Sequence, residues 1–245
     1  MTDVAKPVDI AKFAEILDEA VRDRRAIGRL TDVAPFDVET AYEIQRAVIA
    51  RREKRGERRI GVKMGFTSRA KMVQMGVDDL IWGLLTDAML VETDVDTGTL
   101  IHPRIEPEIV FRIEPGGGHK VAVGYEILDS RYEGFKFTLP DVVADNASAA
   151  GFGFGPWHDP RDVANVGLIV EIDGRVAQTG SSAAILGDPV RSLRAAERLA
   201  RTAGTPLRPG DIVLAGAATA AIPLPKGAHV RVTGAGLGAV EVTTR

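Results

Sequence analysis

Cysteine is absent from the 245 residues, which excludes disulfides, thiolate metal sites and cysteine nucleophiles together. Long apolar runs are missing as well. No stretch approaches the roughly 20 uninterrupted apolar residues that a bilayer span requires, so no membrane partner is expected. Nor is there an excess of positive charge: 31 Lys and Arg stand against 34 Asp and Glu, a net −3. That balance argues against a nucleic-acid partner, because such proteins carry a broad basic surface that replaces phosphate counterions. The one basic run, Arg51, Arg52, Lys54, Arg55, Arg58 and Arg59, reads as the solvated end of a helix, where cations oppose the negative end of the dipole. The segment Met1 to Asp9 lacks the basic then apolar order of a signal peptide, so a cytoplasmic location is expected.

What is present is the material of a packed core, 45% hydrophobic and 27% charged residues, enough for one large domain with a small appended part. Ile10, Phe13, Ile16, Leu17, Ala20 and Val21 recur at helical spacing, and Ala41, Ile44, Gln45 and Val48 repeat the pattern behind Asp37, a candidate N-cap. After Gly61 short apolar segments separated by Gly and Pro predict strands. Val166–Ile172 and Arg175–Thr179 flank Asp173-Gly174, a two-residue hairpin signal, since both turn positions need positive φ. Ile212–Leu214, His229–Val232 and Val240–Thr243 read as further strands. Helices are expected over Ser68–Met75, Leu139–Ala150 and Arg191–Ala203, the first and last closed by Gly76 and Gly204. Gly151-Phe152-Gly153-Phe154-Gly155 reads as a flexible turn. The fold class is therefore α+β, with a helical part over 1–60 packed on a mostly antiparallel, β-rich catalytic domain over 61–245.

Three features carry chemistry. Glu106-Pro107-Glu108 lies in an apolar strand, Ile105 to Phe111, and alternation puts both carboxylates on one face. Two such anions repel unless a cation lies between them, and oxygen-only ligands suit Mg²⁺ or Mn²⁺. A second acidic group, Tyr125 to Arg131, offers Glu126 and Asp129 on opposite strand faces, so one of the two can join the pair, and Arg131 is the obvious ion-pair partner for Asp129. Lys63, flanked by Val62 and Met64, is costly to bury without an anion. It either faces a bound carboxylate, where a desolvated amine can also exchange protons, or snorkels from a strand end. The four histidines have no cluster spacing, and Gly116-Gly117-Gly118 lacks the strand–helix frame of a phosphate loop, so no organic cofactor is expected.

Four ordered blocks, Gly61–Ser68 (GVKMGFTS), His102–Glu108 (HPRIEPE), Glu126–Tyr132 (EILDSRY) and Ala144–Ser148 (ADNAS), resemble the hydratase and decarboxylase branch of the fumarylacetoacetate hydrolase superfamily. The resemblance implies a site in which Glu106, Glu108 and Glu126 bind Mg²⁺ or Mn²⁺, Lys63 is catalytic, and Ser148, Ile81 and Thr219 line the substrate. It also implies a longer connection ahead of the third ligand than Glu114–Gly124 supplies here. Its expected partners are a small 2-oxo dicarboxylate, further copies of the chain, and a hydratase.

Two lyase reactions belong to that branch. One is decarboxylation of 2-oxo-3-hexenedioate to 2-hydroxypenta-2,4-dienoate in the breakdown of aromatic compounds; the other is hydration of that dienoate. Lys63-Met64-Gly65, Ile81-Trp82-Gly83 and Arg131 to Phe137 resemble the decarboxylases, whereas Leu85 to Met89 leans to the hydratases, and decarboxylation is the expected activity. A non-catalytic small-molecule-binding paralogue would keep the same fold, but has no need of Lys63 beside three glutamates.

Overall fold

The computed structural model describes residues 8–68 and 80–245, and the helix expected over Ser68–Met75 falls largely outside them. Helix α1 (Ile10–Asp23) starts where the Asp9 carboxylate accepts the Lys12 N–H and stops at Arg24, whose left-handed backbone closes the last turn. After a single turn, α2 (Leu30–Val33), helix α3 (Val38–Lys54) begins at Asp37, which caps the Thr40 N–H. Phe13, Ala14 and Leu17 of α1 pack with Ala41, Ile44 and Val48 of α3 in one apolar cluster, and that cluster continues into Ile81, Tyr132 and Val142–Ala144. The basic end of α3 is not simply solvated. Arg51 and Arg55 close on the buried Asp18 carboxylate at 3.1 and 2.6 Å, so part of the run ties α3 to α1.

Two sheets follow. The larger contains β1 (Arg59–Gly65), β2 (Ile81–Thr86), β4 (Arg104–Ile113), β5 (His119–Leu128), β6 (Ala149–Phe154) and β9 (Ile212–Ala217) in the order β2-β1-β9-β4-β5-β6, with the short β10 (Ile222–Pro223) on β4. The smaller contains β3 (Asp94–Val95), β7 (Gly167–Ile172), β8 (Arg175–Ser181), β11 (His229–Gly234) and β12 (Gly238–Thr244) in the order β3-β12-β11-β7-β8. Pairing is antiparallel except between β1 and β9 and between β12 and β3, which bears out the α+β reading. Phe111, Val121, Val123, Leu168, Val170, Val230 and Val232 form the apolar layer shared by the two sheets. Asp173 (φ 51°) and Gly174 (φ 73°) make the expected turn between β7 and β8. Helix α4 (Leu139–Ala144) carries a reciprocal Thr138–Asp141 cap, and helix α5 (Pro189–Thr202) begins at an Asp188 cap. Among the described residues no helix is long and apolar enough to cross a membrane.

Two further expectations need correction. The helix expected over Leu139–Ala150 ends at Ala144, because Asn146, Ala147 and Ser148 take φ of 51°, 51° and 60°, values incompatible with continuing a right-handed helix. The Gly-Phe alternation is strand β6 rather than a turn. There Phe152 is fully buried while Gly153 makes room for Tyr125, whose hydroxyl and ring would lie about 2.5 Å from a Cβ at that position.

Candidate active site

The site is built on the hairpin of β4 and β5. Glu114 N–H bonds the Gly118 carbonyl and Gly116 and Gly117 have positive φ, so the short connection is a tight turn joining two continuous ten-residue strands. Their register sets Glu106 opposite Glu126, and Glu108 lies on the same face as Glu106, two residues on. One oxygen from each of the three carboxylates lies within 4.8 Å of the others. Pro107, which lacks an N–H, sits beside a register shift between β4 and β9, where its carbonyl accepts the Ala218 N–H. The irregularity accommodates a proline within a sheet. Gly216, on β9, gives its N–H to Glu108 Oε2 at 2.5 Å. Its φ of 120° and the Thr67 side chain packed against its Cα leave no space for a Cβ.

Lys63 comes from β1 and is 3% exposed. Its ammonium lies 2.9 Å from Glu126 Oε1 and donates to the Ala147 carbonyl at 3.0 Å, which removes the snorkelling alternative. Lys63 faces three carboxylates that are 4%, 0% and 1% exposed. The Glu108 carboxyl is pushed well above the usual carboxylate range, first by burial and then by Glu126 and Glu106, against Lys63 and the Gly216 N–H. Three buried carboxylates within reach of one another are a set of hard oxygen donors that could hold Mg²⁺ or Mn²⁺, and a bound cation would relieve their mutual repulsion.

Asp129 does not enter the cluster. It lies beyond the end of β5, and its carboxylate accepts the backbone N–H groups of Ile101 and His102 at 2.9 and 2.8 Å. Its expected pairing with Arg131 is also corrected. The Arg131 guanidinium binds the Asp145 carboxylate and the carbonyls of Asp129 and Asp145. Burial pushes Asp145 up to about 6, with Arg131 opposing.

A cavity of about 1000 Å³ opens over Lys63 and Glu106. Ile81 (4% exposed), Ser148 (3% exposed) and the half-buried Thr219 all line it. Ser148 Oγ is buried and has no hydrogen-bond partner among the described residues, whereas Thr219 Oγ1 donates to the Ala220 carbonyl at 3.2 Å. Asn146 holds the left-handed segment against β2 through both amide atoms, accepting from Leu84 N–H at 2.8 Å and donating to Leu84 carbonyl at 2.9 Å. Sequence reasoning missed Arg104, Asn146 and Ala147. Alternation with Glu106 was the available signal for Arg104; nothing local marks Ala147 as the carbonyl that fixes Lys63.

The chain is 49% identical to a 4-oxalocrotonate decarboxylase from a Pseudomonas species, over 96% of this chain and 98% of that protein. It belongs to the fumarylacetoacetate hydrolase family. The model of the fumarylacetoacetate hydrolase C-terminal domain matches residues 132–245. A 2-hydroxyhexa-2,4-dienoate hydratase from Comamonas testosteroni is 32% identical over 92% of this chain and 94% of its own. Among solved structures, 4-oxalocrotonate decarboxylase from Pseudomonas putida G7, complexed with magnesium and adipate, superposes with a TM-score of 0.91 at 35% identity, covering 96% of this chain and 97% of that one.

Proposed function

We propose that the chain is a divalent-metal-dependent carboxy-lyase that converts 2-oxo-3-hexenedioate to 2-hydroxypenta-2,4-dienoate in aromatic catabolism. One observation carries the reading: three buried carboxylates converge within 4.8 Å, with a buried lysine 2.9 Å from one of them, under a cavity of about 1000 Å³. The greater likeness to decarboxylases, 49% against 32% for the hydratase, supports decarboxylation over hydration.

In this reading Glu106, Glu108 and Glu126 hold Mg²⁺ or Mn²⁺, whose Lewis acidity offsets negative charge developing on the 2-oxo oxygen. The residues do the rest. The carbon-1 carboxylate and 2-oxo group of the substrate face Lys63 and Glu106, and the chain extends along the cavity toward Ile81. Breaking the bond between carbons 5 and 6 releases the distal carboxylate as CO₂. The electron pair left on carbon 5 moves through the double bond onto the 2-oxo oxygen, giving a dienolate. Lys63, held by Glu126 and the Ala147 carbonyl, is placed to give that oxygen a proton. Ser148 Oγ, with its hydrogen-bonding capacity unspent, orients the substrate, and Thr219 borders it. Ile81 and its apolar neighbours on the wall, Phe137 and Val142, keep water from the departing group, which favours the neutral product over the anion. Self-association and a complex with a hydratase are further proposals that rest on the family resemblance.

The deciding experiment supplies purified, Mg²⁺-loaded protein with each candidate substrate. Decarboxylation predicts one CO₂ per diacid consumed and slow loss of the dienoate absorbance. Rapid hydration of the dienoate with the diacid untouched would replace this reading with the hydratase.

A further inference from the structure

Arg104 opens β4 on the face that carries Glu106 and Glu108, and burial deepens along that face from the partly buried Arg104 to the fully buried Glu108. Its guanidinium carbon lies 4.3 Å from the centroid of the Phe135 ring. That ring packs in turn on His102, with centroids 4.7 Å apart, from a backbone at φ 57°. Among the described residues the Arg104 side chain has no hydrogen bond or ion pair, yet it lines the cavity. The other cations that line it among the described residues are placed differently. Arg29 is exposed and pairs with Asp32 at 2.9 Å, Lys136 is exposed, and Lys63 is committed to Glu126 and Ala147. A guanidinium stacked on a ring keeps its in-plane N–H donors free, and a planar fork of donors matches a carboxylate. Adjacent strand positions on one face are separated by about 6.8 Å, so a long arginine side chain at 104 reaches a group resting beside Glu106.

We propose that Arg104 binds the carboxylate on carbon 1 of the 2-oxo acid, the one the reaction retains. This rests on the decarboxylase reading for its substrate but not for its test. Pairing with the other carboxylate would work against the reaction. An arginine bound to a group that leaves as neutral CO₂ stabilises the ground state and loses that contact in the transition state, whereas one bound to the retained carboxylate keeps its contact throughout.

The test uses pyruvate, which has the retained end of the substrate and no distal carboxylate, titrated calorimetrically into Mg²⁺-loaded protein. Arg104→Met keeps the length and the apolar contact with Phe135 while removing the donors. Pyruvate affinity should fall at least about tenfold, as for loss of a charge-assisted hydrogen bond, with Mg²⁺ affinity within about twofold of wild type. Arg104→Lys should recover part of the loss. Wild-type pyruvate binding by Arg104→Met overturns the proposal, as does loss of Mg²⁺ in parallel or failure of the wild-type protein to bind pyruvate. Absence of CO₂ release by the wild type is a separate readout, which would sink the decarboxylase reading and leave the pyruvate result standing.

Discussion

Replacing Glu108 by Gln should move stability in opposite directions with and without metal. The side chain is fully buried, lies with Glu106 and Glu126 in a cluster 4.8 Å across, and accepts one backbone N–H from Gly216. Glutamine keeps the shape and can still accept that N–H, while its new amide donor faces two carboxylates. In chelator-treated protein the variant should therefore melt at or above wild type, by roughly 1 kcal/mol, the scale of one net hydrogen bond. With Mg²⁺ at a hundred times the dissociation constant, wild type should gain about 2.7 kcal/mol. At roughly 2–4 °C per kcal/mol for a chain of this size, that is a rise of about 5–11 °C. The variant, having lost an anionic ligand, should rise by under about 2 °C. Scanning calorimetry of both proteins, with chelator and with Mg²⁺, gives the four melting temperatures. A full Mg²⁺-dependent rise in Glu108→Gln, or a metal-free variant that melts far below wild type, would refute the reasoning.

Lys63→Met should lower kcat by about a hundredfold or more, the usual scale for a proton-transfer group, while Mg²⁺ affinity holds or rises because a competing cation has gone; loss of metal binding would mark Lys63 as structural. Ile81→Asp should depress decarboxylation at least about tenfold, roughly 1.4 kcal/mol in the barrier, by placing an anion beside the departing carboxylate, and unchanged CO₂ release would remove Ile81 from the specificity argument. Burial pushes Asp18 up, but hydrogen bonds from Arg55 and Arg51 outweigh it and hold the carboxyl below its ordinary value. Its contribution is thus present above the ordinary carboxylate pKa and is lost as pH falls through the depressed one. Urea midpoints of wild type and Asp18→Asn should differ most near neutrality and converge in acid, and a gap that stays constant down the acid limb would contradict that sign.

The elements legible in the sequence were those set by local chemistry. Asp37 caps α3 and Asp173-Gly174 turns β7 into β8 because the determinants are within a few residues. Alternation likewise put Glu106 and Glu108 on one face. Partners fixed by the tertiary fold were not legible. Glu126 stands opposite Glu106 only through the register of a long hairpin, and its choice over Asp129 came from the family resemblance rather than from spacing. Arg131 binds Asp145, fourteen residues away, instead of its neighbour Asp129. The stop after Ala144 was hidden for the same reason. Ala147 and Ser148 have no local preference for positive φ, and hydrogen bonds from Arg131 and Asn146 to distant groups hold the segment. Glycine misled in β6, where it relieves contact with Tyr125 rather than making a turn.

The most direct test of the account is turnover of 2-oxo-3-hexenedioate by Glu106→Gln beside wild type, both stripped with chelator and then restored with Mg²⁺. The account predicts that wild type loses CO₂ release on stripping and regains it with Mg²⁺, while the folded variant stays inactive under both conditions. Full activity of Mg²⁺-restored Glu106→Gln, or undiminished activity of stripped wild type, would contradict it.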